Sequence, residues 1–323
     1  MENLRAEGTD AYRLFHGISE GRPGLTIDRY GSLLLMQTFR ECLGPAEPDV
    51  IETYLREKIS EAFVFVYNHR GPGKPTAVGR SDDDRHRPSP ESLVERTCRE
   101  FGLKYVIRAR HRGIDPWLFL DLRAGRRYIR QTAGGCRVLN LFSYTCTAGI
   151  CAAAAGAAEV WNVDFALTSL KIGRKNASIN HIRNDRFRII EEDCLPVMRQ
   201  LAGLPPGVRR SQRRKFQRFD PRQFDLVILD PPSWSKGPFG AVDVAGDYQG
   251  LFKPAILAAR PSGGRIIATN HIPSVELNSW VDALKRCAAK AGRPIRSVKP
   301  ITPEGDFPSF DGHHPLKIVV FEV

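Results

Sequence analysis

From about residue 117 onward, short apolar runs alternate with stretches whose apolar residues recur at near-helical spacing. The apolar runs predict strands, and the stretches between them predict helices. The predicted strands lie at 138–142, 159–164, 187–193, 224–230, 264–270 and 316–323, and the predicted helices at 147–158, 169–180, 248–259 and 277–290. This alternation predicts an α/β domain with a doubly wound, mostly parallel, Rossmann-like sheet.

The preceding residues have a different pattern, which is typical of a smaller α+β domain. The stretch 71–92 within it is rich in glycine, proline and charge, and this predicts a mobile loop. We therefore divide the chain into a small domain at 1–115 and a larger domain at 116–323. The predicted elements of the small domain are strands at 25–30, 33–39, 62–67 and 101–109 and a helix at 49–61.

The charge of the chain suggests a partner. The 323 residues include 48 Lys and Arg against 36 Asp and Glu, a net charge of +12. Such an excess favours a polyanion such as nucleic acid, because cationic side chains bind phosphates and release counterions. An arginine-rich genome would give the same excess without any such partner.

Cationic residues are densest at 207–218, where they make up six of twelve positions. One interpretation is a loop that clamps RNA phosphates, and the other is a solvated charge run. The RNA-binding candidates in this loop are Arg209, Arg210, Arg213, Arg214 and Lys215.

Cysteine and apolar patterns limit the class of protein. Seven cysteines are irregularly spaced and include no Cys-x-x-Cys pair, which argues against a disulfide framework and against a zinc site. Residues 1–7 lack an apolar run, and the longest apolar stretch, 150–158, is about half a membrane span. We therefore expect a cytoplasmic protein without a metal or a membrane partner, and the oligomeric state stays open.

Polar residues follow four successive predicted strands, at Asn140–Thr145, Asp164, Asp193 and Asp230–Trp234. One such acid is often only a helix cap or a turn residue. Ligands bind at the carboxyl ends of the strands in open α/β sheets, so four in order favour a shared site. A loop before a helix can bind a carboxylate or phosphate, and two acids can accept ribose hydroxyls and an adenine amine. This chemistry suits an adenosine cofactor.

A nicotinamide dinucleotide is the competing cofactor. Its pyrophosphate needs the glycines of a Gly-x-Gly-x-x-Gly loop so that the backbone can approach closely. The loop at 142–149 has one glycine, at its end, which disfavours a dinucleotide.

These motifs resemble those of class I S-adenosylmethionine-dependent methyltransferases, and more narrowly the bacterial 23S rRNA methyltransferases of the cytosine-C5 and guanine-N7 type. Residues 118–127 resemble the Phe-Leu-Asp-x-Arg signature of that family, and residues 11–17 and 23–31 resemble its N-terminal motifs. Cys146 stands where the family usually has glycine. The resemblance implies S-adenosyl-L-methionine as cofactor, with Asp164 at the ribose and Asp193 at the adenine. The cofactor-binding residues it implies are Asp121, Arg123, Asn140, Phe142, Ser143, Tyr144, Thr145, Asp164, Phe165, Asp193, Cys194 and Asp230.

The turn after the fifth predicted strand bears on the methylated atom. Cytosine C5 is a poor nucleophile and needs a covalent bond from a cysteine thiolate, which the resembling cytosine enzymes carry in this turn. Here residues 268–273 contain Asn270 and no cysteine. Guanine N7 already has a lone pair and needs mainly positioning, and the guanine-N7 members resemble this chain in having Asn there. Asp230 and Asn270 are the catalytic candidates and guanine N7 is favoured, with an exocyclic amine still open.

The resemblance also implies an RNA partner, either 23S rRNA or a ribosome assembly intermediate, which the domain at 1–115 would help to bind. Trp234 either stacks on a flipped base or packs in a core or interface. The substrate-binding candidates after the fourth strand are Pro231, Pro232, Ser233, Trp234 and Lys236.

Three alternatives to the guanine-N7 enzyme remain. One is a cytosine-C5 enzyme that uses Cys146 or Cys194. Another is a non-catalytic RNA-binding or assembly protein with a methyltransferase fold. The last is a small-molecule methyltransferase.

Overall fold

The computed structural model of the chain describes residues 2–70, 90–109, 116–206 and 216–323. Its internal contacts divide the chain into two compact units. The first comprises Met1–Leu120 with Glu304–Gly312, and the second comprises Asp121–Pro303 with His313–Val323.

The elements of the first unit are α1 (Glu2–Ala6), β1 (Ala11–Phe15), β2 (Leu25–Tyr30), β3 (Leu33–Thr38), α2 (Glu47–Lys58), β4 (Val64–His69) and the hairpin β5 (Arg96–Glu100) and β6 (Leu103–Ile107). Four of the strands form a sheet in the order β1-β2-β3-β4. The first three strands are antiparallel, whereas β3 and β4 are parallel and are connected through helix α2. Apolar side chains of β2 and β3 pack against Ile51 and Leu55 of α2.

The second unit alternates strands and helices. Its elements are α3 (Arg123–Thr132), β7 (Arg137–Leu141), α4 (Thr147–Ala154), β8 (Glu159–Asp164), α5 (Leu167–Ile179), β9 (Phe187–Glu191), α6 (Cys194–Leu201), β10 (Leu226–Leu229), β11 (Trp234–Gly237), β12 (Gly240–Asp243), α7 (Tyr248–Ala258), β13 (Arg265–Asn270), α8 (Leu277–Lys290), β14 (Ser297–Ile301) and β15 (Lys317–Glu322). The helix predicted to reach residue 158 ends four residues earlier, because Gly156 takes a positive φ of 85° that terminates it.

The seven-stranded sheet has the order β14-β15-β13-β10-β7-β8-β9. All neighbouring strands from β13 to β9 are parallel, and β15 runs antiparallel to both of its neighbours. The chain starts this sheet at β7, proceeds to β9 on one side and then crosses to β10 on the other. The doubly wound, mostly parallel sheet predicted from the sequence is thereby confirmed, with its switch point between β7 and β10.

Helices cover both faces of this sheet. Helices α3, α4 and α5 pack in one layer, and α6, α7 and α8 pack in another. The central strands are apolar because both of their faces are covered, and all four residues of β10 are buried. Among the described residues, we find no helix with the length and apolar character needed to cross a bilayer.

Candidate active site

The carboxyl ends of five parallel strands meet at one edge of the large sheet. Leu141 at the end of β7 pairs with Val163 of β8 on one side and with Leu229 of β10 on the other. Asp164 pairs with Glu191 of β9. The polar residues that follow these strands therefore share one edge, beside the switch point.

The loop between β7 and α4 has an unusual backbone. Phe142, Tyr144 and Cys146 all have positive φ, at 56°, 49° and 61°. Non-glycine residues in this region cost energy and cluster at ligand-binding sites. The backbone N–H of Ser143 donates to the carbonyl of Val163 at 3.0 Å, which anchors the loop to β8.

Asp164, at the end of β8, also holds this loop. Its Oδ2 accepts the backbone N–H of Tyr144 at 2.9 Å, and its Oδ1 accepts that of Ala166 at 2.8 Å. Burial raises the pKa of the Asp164 carboxyl, against the lowering effect of these hydrogen bonds. A carboxylate offers about four lone-pair positions, so both oxygens can still accept a ligand hydroxyl.

Asp193 lies under the hairpin of β11 and β12. Its Oδ1 caps α6 by accepting the N–H of Leu195 at 2.9 Å, and its Oδ2 accepts the N–H of Phe239 at 3.1 Å. A Cβ at Gly237 would lie 2.4 Å from Oδ2, so this approach requires glycine. Burial raises the pKa of the Asp193 carboxyl.

Cys194 connects the ends of two strands. Its buried Sγ accepts the N–H of Phe142 at 3.1 Å and donates to the carbonyl of Val163 at 3.3 Å. Burial raises the pKa of this thiol well above its ordinary value, so the sulfur stays protonated. The sequence suggested a cofactor contact for Cys194, which stays a prediction, and in the structure its thiol holds the loop.

Cys146 is also buried, and burial raises the pKa of its thiol to about 12. A Cβ at Gly173 of α5 would lie 2.5 Å from its Sγ. Cysteine thus fits where the resembling family has glycine, because the facing position is itself glycine.

Asn140 was assigned from the sequence to the loop that follows β7, and the structure corrects this assignment. It lies inside β7, fully enclosed, and its Nδ2 donates to Oδ1 of Asn162 at 2.9 Å. A Cβ at Gly149 would lie 1.9 Å from that same Oδ1. The amide therefore belongs to the packing between the sheet and α4, which the strand prediction of 138–142 already allowed.

Asp230 follows β10, and the hydroxyl of Thr269 on β13 donates to its Oδ1. Burial raises the pKa of the Asp230 carboxyl, and the nearby charge of Asp121 raises it further, while His271 and Arg126 oppose this. Asp121 is thus close enough to Asp230 for the two carboxyl groups to interact electrostatically. Arg123, the other signature residue, is buried at the start of α3.

Asn270 ends β13 and is fully buried. Its Oδ1 accepts the N–H of Ile272 at 2.9 Å, which orients the amide. Its Nδ2 has no acceptor among the residues that the structure describes. Next to it, the hydroxyl of Tyr248 donates to the carbonyl of Thr269 at 2.8 Å. Sequence reasoning missed both Tyr248 and Thr269. Of the two, only Thr269 could have been found from the sequence, by its position near the end of a predicted strand.

The remaining predicted residues differ in exposure. Trp234 is 65% exposed and Phe165 39% exposed, so both rings can contact a ligand. Lys236 is exposed, Pro231 is buried, and Pro232 and Ser233 are partly buried. The basic-loop candidates Arg209, Arg210, Arg213, Arg214 and Lys215 lie outside the described residues. Over the described parts of the chain, His, Cys, Asp and Glu form no group of three or more that could hold a metal ion.

Comparison with known proteins decides the family. Residues 12–322 match the model of a family described as S-adenosylmethionine-dependent methyltransferase. The chain belongs to this family. It is an enzyme, and S-adenosylmethionine is its methyl donor, as the strand-end motifs predicted.

Similar proteins include two ribosomal RNA methyltransferases. "Ribosomal RNA large subunit methyltransferase I" of Shewanella amazonensis is 26% identical over 309 residues, which cover 94% of this chain and 72% of that protein. "Ribosomal RNA large subunit methyltransferase K/L" of Allochromatium vinosum is 31% identical over 273 residues, or 82% of this chain. The match spans only 34% of that longer relative.

Solved structures share the fold of this methyltransferase. A putative methyltransferase complexed with SAH superposes with a TM-score of 0.77 at 22% sequence identity. The superposition covers 99% of this chain and 77% of that one.

Proposed function

We propose that this methyltransferase acts on a base of 23S ribosomal RNA, and that the atom it methylates is guanine N7. The relatives named above are large-subunit ribosomal RNA methyltransferases, and the net charge of +12 suits a polyanionic substrate. Naked RNA and a ribosome assembly intermediate both fit this proposal. Such a substrate implies a cytoplasmic location.

The strand-end residues fit the methyl donor. Asp164 and Asp193 keep acceptor positions for the ribose hydroxyls and the adenine amine, and the loop at Phe142–Thr145 runs into the N-terminus of α4. The exposed ring of Phe165 lies next to Asp164 in the chain and can pack on the adenosine. When bound, S-adenosylmethionine supplies an electrophilic methyl group on a sulfonium.

Asn270 at the end of β13 is the observation that carries the choice of N7. Cytosine-C5 chemistry needs a reactive thiolate near the base, and this position holds a buried amide. The two cysteines of the strand-end region, Cys146 and Cys194, are buried thiols with raised pKa values. Guanine N7 needs no covalent catalyst, so the task of the site is to position the base.

The residues of the substrate half suit that task. The exposed ring of Trp234 can stack on a base that has left its helix. Asp230 can accept a hydrogen bond from an amine of the base or of the methyl donor, and Asn270 can donate one through Nδ2. Asp230, Asn270 and Trp234 thereby orient the base without removing a proton from it.

A methyl-transfer assay tests this proposal. The purified protein is incubated with methyl-labelled S-adenosylmethionine and unmodified 23S rRNA, with transfer RNA as the control substrate. We expect label in the 23S rRNA and little in the control. If the protein binds S-adenosylhomocysteine but labels neither RNA, the proposed substrate is wrong. If it does not bind S-adenosylhomocysteine either, a non-catalytic RNA-binding protein is favoured.

Neutralising the basic residues at 207–218 distinguishes an RNA substrate from a small-molecule substrate. Replacing Arg209, Arg210, Arg213, Arg214 and Lys215 by Gln is expected to weaken RNA binding and its salt dependence. The slope of log affinity against log salt should fall by about 0.7–0.9 for each phosphate that these residues no longer neutralise. Unchanged RNA binding and unchanged activity would instead favour a small-molecule methyltransferase.

A further inference from the structure

A cleft of about 310 Å³ lies between the N-terminal turns of α7 and α8, beside the end of β13. Tyr248, Asn270 and Trp280 form part of its wall, and Asp247 and Glu276 contribute at the helix caps. This volume is at the small end of the range for small-molecule pockets, about 300–1,000 Å³. It suits a single base better than a whole nucleotide chain.

Two residues of the wall carry buried N–H donors that lack an acceptor within the described parts of the chain. They are Nδ2 of Asn270 and Nε1 of Trp280. Asn270 cannot be turned around, since its Oδ1 accepts the N–H of Ile272. The indole of Trp280 is held edge-on to Tyr248, with ring centroids 5.1 Å apart. Buried donors are nearly always paired in folded proteins, so two on residues that line one cleft point to an acceptor that a ligand brings.

The rim of the cleft is acidic. Glu276 caps α8 by accepting the N–H groups of Asn278 at 2.8 Å and Ser279 at 2.7 Å. These hydrogen bonds lower the pKa of the Glu276 carboxyl, so it is ionised at neutral pH. Asp247 caps α7 in the same way through the N–H of Gly250. Two carboxylates disfavour a phosphate and favour a ligand edge that carries N–H groups.

We propose that this cleft recognises the target guanine by its O6 edge. A carbonyl oxygen has two lone pairs, so O6 can accept from both Asn270 and Trp280, while the N1–H and N2–H groups face Glu276. This inference rests on the proposed function and adds the residues that select the base. Each nitrogen exposes almost no surface, so the proposed recognition requires a small rotation of the Trp280 indole and of the Asn270 amide about its Oδ1 hydrogen bond.

This arrangement leaves N7 without a hydrogen bond, as a nucleophile requires. It also rejects adenine, whose amine at the same ring position would face two donors. Sites that hydrogen-bond a substrate group reject analogues without it strongly, because their own buried groups are then left unpaired. Trp280 and Glu276 are therefore specificity-determining residues.

The indole N–H signals of the four tryptophans in nuclear magnetic resonance test the proposal, each assigned by a Trp→Phe variant. The protein is saturated with S-adenosylhomocysteine and titrated with guanosine monophosphate. We expect the Trp280 signal to move downfield, with affinity at least tenfold higher than for adenosine monophosphate. The 7-deaza analogue of the guanine nucleotide should bind within about twofold of the parent, because the cleft makes no hydrogen bond to N7. The 2-aminopurine nucleotide, which lacks O6, should bind at least tenfold more weakly.

Trp280→Phe keeps an aromatic ring and removes the N–H, so the preference for guanine over adenine should fall by about tenfold. Equal binding of the guanine and adenine nucleotides to the unchanged protein would overturn the proposal. So would a Trp280 signal that does not move when the guanine nucleotide is saturating. A shift of the exposed Trp234 signal alone would show stacking outside the cleft and would also overturn it. Each of these results leaves the proposed function standing if the labelled rRNA yields 7-methylguanosine.

Discussion

The two halves of the strand-end edge are built differently. At β7, β8 and β9, the side chains of Asp164, Asp193 and Cys194 are all hydrogen-bonded to the backbone. At β10 and β13, Asp230 accepts from a side chain, the hydroxyl of Thr269, and Nδ2 of Asn270 has no acceptor within the described ranges.

This difference separates two ways of preparing a site. We interpret the first half as holding its shape before S-adenosylmethionine arrives, since the protein itself supplies the partners. The second half leaves one buried donor, Nδ2 of Asn270, for a substrate to pair. Buried groups without partners cost stability, and proteins keep such costs mainly where a ligand repays them.

The largest effect is expected from Asp164→Ala. This variant loses the acceptor for two backbone N–H groups as well as for the ribose, so S-adenosylhomocysteine should bind more weakly by about 2–4 kcal/mol. Isothermal titration calorimetry measures this directly. Asp185→Ala, which removes an exposed acid paired with Arg183, is the matched control and should leave the affinity unchanged. An unaltered affinity in Asp164→Ala would refute its assignment.

Trp234→Ala tests the substrate half. Stacking on a base contributes about 1–3 kcal/mol, so binding to 23S rRNA should weaken by this amount. Binding of S-adenosylhomocysteine should not change, and Trp234→Phe should retain most of the RNA affinity. If Trp234→Ala binds RNA like the unchanged protein, the ring does not stack on the substrate.

Variants of Cys194 test the first half, because its thiol holds the loop between β7 and α4. Cys194→Ala removes two hydrogen bonds, each contributing about 0.5–1.5 kcal/mol, and should weaken S-adenosylhomocysteine binding by roughly tenfold. Cys194→Ser keeps a donor and an acceptor and should restore most of the affinity. The exposed Cys42 lies in the other unit, so Cys42→Ala is the control. Equal affinity in the Ala and Ser variants would contradict a role in holding the loop.

Asp230→Asn tests the substrate half through its effect on the stability of the fold, and this is the smallest effect that we expect. Burial raises the pKa of the folded-state carboxyl, so its contribution to stability is most favourable at low pH and is lost as pH rises. An amide avoids this cost and can still accept from Thr269. The melting temperature at pH 7 should therefore rise, by roughly 2–4 °C for each kcal/mol gained in the free energy of unfolding. This gain should vanish near pH 4. A lower melting temperature at pH 7 would contradict this account.

Much of the second unit could be predicted from the sequence because apolar periodicity controls it. The strand at 159–164 and the helix at 277–290 have the predicted bounds. The missed elements lack that signal: α3 buries Arg123 and Arg126, α6 is short with an internal proline, β11 and β12 have only four residues each, and β14 is a mostly exposed edge strand. Charge on a buried helix face hides its periodicity from a sequence pattern.

The candidate site was predictable only in part. Strand-end acids can be located from the sequence, because position relative to a strand is a local property. The contacts of Cys194 with Phe142 and Val163 join residues far apart in the chain, so no local pattern contains them. The same holds for the shared cleft of Asn270 and Trp280. Asn140 was misplaced because a polar residue near a strand end was assigned to the loop when it lies within the strand.

The identity of the methylated nucleoside tests the central claim most directly. Ribosomal RNA labelled by the purified protein is digested to nucleosides, and the labelled one is identified by mass spectrometry. The account predicts 7-methylguanosine, made by a site that uses the Asn270 amide and no cysteine thiolate. Labelled 5-methylcytidine would contradict it, because that product requires a covalent cysteine that the strand-end region does not provide.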